Sequence, residues 1–172
     1  MKNYNIILTD PPWSYGDKSK NRGGAIRHYP TMTDAEILGM DIPATDNALL
    51  FMWATFPRLE LALQCFKAWG FVYKTQAFTW IKTNKDGSPS MCMGRYTRAN
   101  AEVCLLGVRG RGIDYVVNHG INSAVIAPRL KHSQKPTEVY ERIEKLVGDE
   151  PRKLEMFARN TREGWDSWGN EV

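Results

Sequence analysis

The chain has 172 residues, of which 42% are hydrophobic and 24% are charged, proportions that fit one soluble globular domain with its own core. No apolar run approaches the roughly 18 residues that a membrane-spanning helix needs, so no membrane partner is expected. The formal net charge of +4 is compatible with a polyanionic partner but does not by itself indicate one.

Apolar and amphipathic segments alternate along the chain, which predicts an α/β fold with helices on both faces of a sheet. The expected strands span residues 4–9, 48–54, 73–82, 102–109, 153–157 and 165–168, and the expected long helices span 58–69 and 137–147. Thr33 to Glu36 fits a capping box that opens a further short helix, and Asp86-Gly87 predicts a turn. No linker separates these segments, so residues 1–172 are predicted to form a single domain.

The cysteines and histidines do not suggest a metal site. The 3 cysteines form no C-x-x-C pair and the 3 histidines fall at no ligand spacing, so we expect no bound metal. An odd number of cysteines without a secretory signal favours a reducing compartment, and the cytoplasm is the predicted location.

The sharpest motif is Asp10-Pro11-Pro12-Trp13, directly after the first predicted strand, where open α/β sheets bind their ligands. One reaction that such a motif could serve is attack by an adenine amino group. This group is a poor nucleophile because its lone pair is delocalised into the ring. Two hydrogen-bond acceptors held at fixed angles, the Asp10 carboxylate and the Pro11 carbonyl, would free that lone pair. The prolines would hold the carbonyl, and Trp13 would offer a face for a stacked base. The four residues alone fit a proline-stiffened strand end equally well.

Transfer of a methyl group from a sulfonium centre to such a nitrogen needs no covalent enzyme nucleophile. Holding two reactants in line is worth ~7–11 kcal/mol. The Pro-Cys dipeptide that cytosine-C5 chemistry would require does not occur in the sequence.

Ordered matches along nearly the whole chain carry a resemblance to the N6-adenine methyltransferases, the family that includes the eukaryotic messenger-RNA adenosine methyltransferase and many phage and bacterial relatives. Besides the Asp10 motif, the matching segments are residues 28–33, 50–53, 69–71, 80–83, 102, 105–110, 132–136, 153–159 and 164–172. The resemblance implies a Rossmann-like class I fold with a mostly parallel sheet and with the catalytic motif ahead of the cofactor motif. It also implies S-adenosylmethionine as the methyl donor.

The same resemblance implies roles for individual residues. Asp10, Pro11, Pro12 and Trp13 would form the catalytic loop. The implied cofactor-binding residues are Asp10, Lys135, Phe157, Arg159, Asn170 and Glu171. Lys135 would bind the methionine carboxylate or hold Asp10, whereas Asn170 and Glu171 would bind the ribose. The loop Phe157-Ala158-Arg159-Asn160 lacks the glycine-rich form, since Ala158 stands where some relatives carry glycine.

The implied substrate-binding residues are Tyr29, Trp53, Lys82 and Glu102. An isolated tryptophan more often belongs to a core than to a site, and we predict core positions for Trp69 and Trp168. Glu102, at the start of a predicted strand, fits an inert exposed position equally well.

Basic residues in the predicted loops would form a rim for nucleic-acid phosphates if those loops surround one opening. They are Lys18, Lys20, Arg22, Arg27, Arg95, Arg98, Arg109, Arg111, Arg129 and Lys131. A target base in a duplex would have to be flipped out at a cost of a few kcal/mol.

DNA adenine is the predicted substrate, as expected for a compact phage-like or bacterial member of the family. The alternatives are the same chemistry on RNA adenine, a non-catalytic nucleic-acid-binding subunit, and methylation of a small molecule or protein. A monomer or homodimer is expected, and a heterodimer with a second subunit stays open.

Overall fold

The computed structural model describes residues 3–15, 32–94, 96–130, 134–169 and 172. Within these ranges seven strands form one sheet: β1 (Tyr4–Thr9), β2 (Ala44–Ala54), β3 (Val72–Thr83), β4 (Ala101–Arg109), β5 (Ala124–Pro128), β6 (Lys153–Met156) and β7 (Trp165–Trp168). The α-helices are α1 (Asp34–Leu38), α2 (Leu59–Ala68) and α3 (Thr137–Val147), and two short 3₁₀ helices span Phe56–Arg58 and Gly112–Tyr115. No helix in these ranges is long and apolar enough to cross a membrane.

The strand order is β5-β3-β4-β2-β1-β6-β7, and four of the six neighbouring pairs are parallel. β4 alone runs antiparallel to its neighbours β2 and β3. Consequently β1, β2, β3 and β6 all end at one edge of the sheet, which we call the carboxyl edge. β4 begins at that edge and ends at the opposite one. This direction decides which side chains can meet at a site.

The two faces of the sheet carry separate apolar clusters. In β2, Leu50 and Met52 belong to one cluster and Leu49, Phe51 and Trp53 to the other, so both faces of this central strand are buried. Helices α1 and α2 cover the first face, and α3 covers the second through Val139, Ile143 and Val147. Burial on both sides explains why residues 48–54 form an unbroken apolar run. The predicted helices on both faces are therefore confirmed.

Local signals fixed several element ends as predicted. The capping box is present, since Glu36 N donates to Thr33 Oγ1 at 3.2 Å and Thr33 N donates to Glu36 Oε2 at 2.7 Å. Helix α3 follows Pro136 and stops at Gly148, whose φ of 72° is accessible to glycine at little cost. The bounds of β1 and β7 also agree with the predicted segments.

Other expectations were wrong. β2 begins at Ala44, four residues ahead of the apolar run, and a 3₁₀ turn at Phe56–Arg58 precedes α2. The edge strand β5 was not predicted, because Val125 is its one fully buried residue and a single buried position gives no periodic signal. Trp168, predicted as core, is 50% exposed, whereas Trp69 is 3% exposed as expected.

Candidate active site

The Asp10 motif leaves the sheet at the carboxyl edge of β1. Thr9 is in register with Met52 of β2 and Met156 of β6, so Asp10 emerges between the ends of two parallel strands. Trp13 N donates to the Pro11 carbonyl at 2.7 Å, which fixes the direction of that carbonyl. A carbonyl oxygen has two lone pairs, so this bond leaves capacity for a second donor.

Trp13 does not offer the open stacking face that the sequence suggested. Its side chain is 3% exposed and packs in the core, and its Nε1 donates to the Trp53 carbonyl at 3.2 Å. A base cannot stack on a face that the core already covers. We therefore correct this expectation: in this structure Trp13 anchors the loop that carries Asp10.

Beside Asp10 runs a line of alternating charges, Lys82–Glu102–Lys135–Asp10, which we call the charge chain. Lys135 Nζ lies 2.8 Å from Asp10 Oδ2 and 3.2 Å from Glu102 Oε2, and Lys82 forms an ion pair with the other Glu102 oxygen. The side chains of Lys135 and Glu102 are 9% and 15% exposed. Opposite charges this close attract one another strongly when they are buried, because little solvent screens them.

The topology explains why these four groups meet. Asp10 follows β1 and Lys82 lies near the end of β3, both at the carboxyl edge. Glu102 is near the start of β4, which runs in the opposite direction and therefore begins at this edge, paired with Trp80 of β3. Lys135 comes from the segment that leads into α3.

The protonation states follow from burial and neighbouring charge. Burial raises the pKa of Asp10, and the Lys135 ammonium opposes that rise. Burial acts to lower the pKa of Lys135, but the Asp10 and Glu102 carboxylates outweigh it and the pKa is raised. For Glu102, burial acts to raise the pKa, but Lys135 and Lys82 bring it below its ordinary value. Lys135 is thus held as a cation.

Two tryptophans form the wall behind the lysines. Lys135 Nζ lies 5.4 Å from the Trp53 ring centroid, and Lys82 Nζ lies 5.0 Å from that of Trp80, distances typical of cation–π contacts. Trp53 is 1% exposed, and its buried Nε1 has no hydrogen-bond partner among the described residues. The surface through which Trp53 could contact a substrate is therefore small.

A cavity of about 330 Å³ opens beside Asp10, a volume typical of small-molecule sites. It brings together the four implied cofactor-binding residues that the structure describes: Asp10, Lys135, Phe157 and Arg159. Its other lining residues are Leu8, Trp53, Gln134, Thr137, Tyr140, Glu155, Asn160, Thr161 and Arg162. The implied residues Tyr29, Asn170 and Glu171 lie outside the described residues.

The loop after β6 is tightly constrained. Phe157 has a positive φ of 61°, a backbone conformation that costs free energy for a residue other than glycine and is found at functional sites. Ala158 N donates to the Trp168 carbonyl at 3.0 Å, and Ala158 itself is 1% exposed. A side chain on Gly169 would overlap the Ala158 backbone, so Gly169 is needed for this close approach.

The cavity contains residues that the sequence did not single out. Tyr140 of α3 donates to Glu155 Oε1 at 2.6 Å, and the Arg162 guanidinium lies 4.9 Å from the Tyr140 ring. Arg162 Nε is 3.1 Å from Glu144 Oε1, which also accepts from Trp165 Nε1 at 2.8 Å. The available signal was a glutamate near the end of the predicted strand 153–157, a position that faces ligands in open sheets.

The predicted basic rim is only partly correct. Arg109 ends β4 and so lies at the edge opposite Asp10, where it donates to the Trp69 carbonyl and covers Phe71 at 4.6 Å. Arg111 is at that far edge as well. Arg98 and Arg129 do lie in segments at the carboxyl edge. The remaining rim residues fall outside the described ranges: Lys18, Lys20, Arg22, Arg27, Arg95 and Lys131.

An α/β fold that brings an ion-paired aspartate and a ligand-sized cavity together at the carboxyl edge of its sheet has the features of an enzyme with a small-molecule site. A sequence model of the MT-A70 family matches residues 4–171, and the chain belongs to that family. This confirms both the family and the enzyme class that the motifs predicted.

Individual relatives differ in how much of their length the chain covers. It is 34% identical to "Type II methyltransferase M.MunI" of a Mycoplasma species, over 99% of this chain and 78% of that protein. It is 30% identical to the human "N(6)-adenosine-methyltransferase catalytic subunit METTL3", over 97% of this chain and 28% of that protein. A rice "Probable N(6)-adenosine-methyltransferase MT-A70-like" is 31% identical, with 23% of its length covered. The chain thus spans about a quarter of the plant and animal relatives.

Proposed function

We propose that this protein uses S-adenosylmethionine to methylate the N6 amino group of adenine in DNA. One observation carries the proposal: Asp10, held by Lys135 at 2.8 Å, lines the same cavity as Arg159 and Phe157. An acceptor for the adenine amino protons and the groups that would hold the methyl donor therefore share one space. The proposed fold is the Rossmann-like class I methyltransferase fold, with residues 1–172 as one domain and the catalytic motif ahead of the cofactor loop.

The residues of the cavity fit S-adenosylmethionine chemically. Lys135 and Arg159 are cations that suit its carboxylate, and Asp10 is an acceptor that suits its ammonium group. Phe157 supplies an apolar surface. By resemblance, Asn170 and Glu171 would bind the ribose. When bound, the cofactor supplies a methyl group on a positively charged sulfur.

Asp10 has the central chemical role in this proposal. Its carboxylate accepts a hydrogen bond from the adenine N6 amino group, and the Pro11 carbonyl accepts the second. Together they draw the nitrogen toward a tetrahedral shape with its lone pair exposed. Lys135 keeps Asp10 oriented, and Glu102 with Lys82 keeps Lys135 oriented. No covalent intermediate is needed, since positioning supplies ~7–11 kcal/mol.

The base must leave a helical stack to reach this site, so we propose base flipping or single-stranded presentation. Tyr29, Trp53, Lys82 and Glu102 are the proposed residues of the base pocket. Of the predicted rim residues, Arg98 and Arg129 are those that the structure describes at the edge where phosphates would lie. The free thiols Cys65, Cys92 and Cys104 suit a reducing compartment, and we propose the cytoplasm.

The choice of DNA is supported by coverage, because the relative that this chain covers over 78% of its length is a type II methyltransferase. The similarity to adenosine methyltransferases makes RNA the specific alternative. Both substrates present the same amino group to Asp10, and they differ in the ribose 2′-hydroxyl.

The test is transfer of tritiated methyl groups to matched DNA and RNA oligonucleotides, each single-stranded and double-stranded, followed by nucleoside analysis. We expect label in N6-methyldeoxyadenosine. Label in RNA alone would overturn the choice of DNA. Label in cytosine, in protein, or in no nucleic acid despite cofactor binding would overturn the proposed function.

A further inference from the structure

Glu155 lies in the wall of the proposed cofactor cavity, near the end of β6. Glu155 is in register with Leu8 of β1. Asp10 directly follows the end of β1 and lies two residues after Leu8. Paired residues and residues two apart share a face of a sheet, so Glu155 and Asp10 point to the same side. The cavity therefore has a second carboxylate beyond the proposed catalytic one.

The two carboxylates differ in their partners. Asp10 is paired with the Lys135 ammonium, whereas Glu155 accepts a hydrogen bond from the neutral Tyr140 hydroxyl at 2.6 Å. The nearby Arg162 is itself paired with Glu144 at 3.1 Å. No ion pair within 4.0 Å joins Glu155 to any other residue that the structure describes.

A carboxylate in this position favours a cationic ligand. Burial raises the pKa of Glu155, which means that its negative charge is costly in this environment, and the Tyr140 hydrogen bond only partly opposes this. A positive charge brought into the cavity would offset that cost, because Coulomb interactions are strong where solvent is excluded.

We propose that Glu155 makes the cavity select the positively charged methyl donor over its product, an inference that rests on the proposed function. S-adenosylmethionine and S-adenosylhomocysteine share the carboxylate, ammonium, ribose and adenine groups. They differ in one methyl group and in the positive charge on sulfur. Contacts with the shared groups cancel in the ratio of the two dissociation constants, so the charge of Glu155 acts on that ratio. Glu155 would thus promote release of the product after transfer.

The experiment measures dissociation constants for three ligands by calorimetry at pH 8: the methyl donor, the product, and sinefungin, in which a protonated amine replaces the sulfonium. Glu155→Gln removes the charge and keeps the shape and the Tyr140 contact. We expect it to lower the product-to-donor ratio of dissociation constants about tenfold, about 1.4 kcal/mol, while the affinity for the product stays within roughly twofold. Sinefungin should follow the donor.

Tyr140→Phe is the matched control, because it removes the hydroxyl and keeps the Glu155 carboxylate. The product-to-donor ratio of dissociation constants in this variant should stay within about twofold of the wild-type value, since the charge of Glu155 remains. Glu155→Asp should retain the ratio. If Glu155→Gln fails to fold, Glu155→Met removes the same charge and should lower the ratio by a similar factor. Equal weakening of donor and product, or an unchanged ratio in both uncharged variants, overturns the proposal. A wild-type protein that binds none of the three ligands would instead contradict the proposed function.

Discussion

The ammonium group of Lys135 lies 2.8 Å from the carboxylate of Asp10, although 125 residues separate the two in sequence. Glu102 holds the same ammonium from the other side, at 3.2 Å. Lys135 therefore opposes the effect of burial on the Asp10 pKa and holds the direction of the group that is proposed to act on the substrate.

Replacing Lys135 by methionine should raise the pKa of Asp10. Burial already raises that pKa, and Lys135 is the leading opposing influence, so its removal leaves burial less opposed. The carboxylate would then be lost at a higher pH as the solution is acidified, and the acid limb of methylation would move to higher pH. The pKa is measured by carboxyl ¹³C NMR. Lys67→Met, at an exposed position of α2, is the control. A fall in the Asp10 pKa in Lys135→Met would contradict the ion pair.

Replacing Glu102 by alanine should destabilise the fold strongly, because it leaves Lys82 and Lys135 without their shared partner. Breaking a buried ion pair in this way costs about 3–5 kcal/mol. Glu138→Ala is the matched control: it removes an ion pair with Arg142 at the surface, where Glu138 is 46% exposed, and should cost less than about 1 kcal/mol. Urea unfolding measures both. Equal losses would show that the charge chain does not hold this part of the fold.

Gly107→Ala should destabilise the packing of α2 on β4. A methyl group at Gly107 would overlap the Phe66 ring, which is 1% exposed and has little room to move. Overpacking of this kind costs about 1–3 kcal/mol. Gly120→Ala, where the nearest atom is the end of the Asn118 side chain, should change the free energy of unfolding by less than about 0.5 kcal/mol. Thermal and urea unfolding would refute the packing account if both variants matched the wild type.

The direction of β4 predicts which arginines would contact a nucleic-acid substrate. Arg98→Ala and Arg129→Ala, at the carboxyl edge, should each weaken binding and reduce the salt dependence of the binding constant by about one unit of log–log slope. Arg111→Ala, at the opposite edge, should leave both quantities unchanged. Fluorescence anisotropy at several salt concentrations measures them. A loss of affinity confined to Arg111→Ala would instead place the nucleic acid at the edge of the sheet opposite Asp10.

The sequence predicted those elements whose signals are local. The unbroken apolar run of β2, the capping box at Thr33 and Glu36, and Gly148 after α3 each depend on a few neighbouring residues. β5 escaped prediction because tertiary pairing with β3, rather than its own pattern, makes it a strand.

The site was predictable where ordered motifs marked it and not where strand direction decided. Asp10, Lys135, Phe157 and Arg159 were named from the sequence and line one cavity. Arg109 was misplaced because nothing in its neighbourhood shows that β4 runs antiparallel. Trp13 was expected to offer an open face and is buried, whereas Trp168 was expected in the core and is half exposed. Composition alone does not tell a buried indole from an exposed one. Glu155 was missed because its place in the site depends on a contact with Tyr140, a residue of a different element.

The central claim is that the Asp10 carboxylate activates the adenine amino group. Its most direct test is the rate of N6-methyladenine formation in DNA by Asp10→Asn and by the wild type, each at saturating S-adenosylmethionine, with cofactor affinity measured alongside. The account predicts a fall in kcat of about 10²–10³-fold or more, because the amide keeps the shape of the side chain but loses its charge. Saturation with the cofactor separates this loss from weaker binding of the cofactor ammonium group by residue 10. Asp41→Asn, at an exposed position before β2, should match the wild type. Turnover by Asp10→Asn at the wild-type rate would contradict the account.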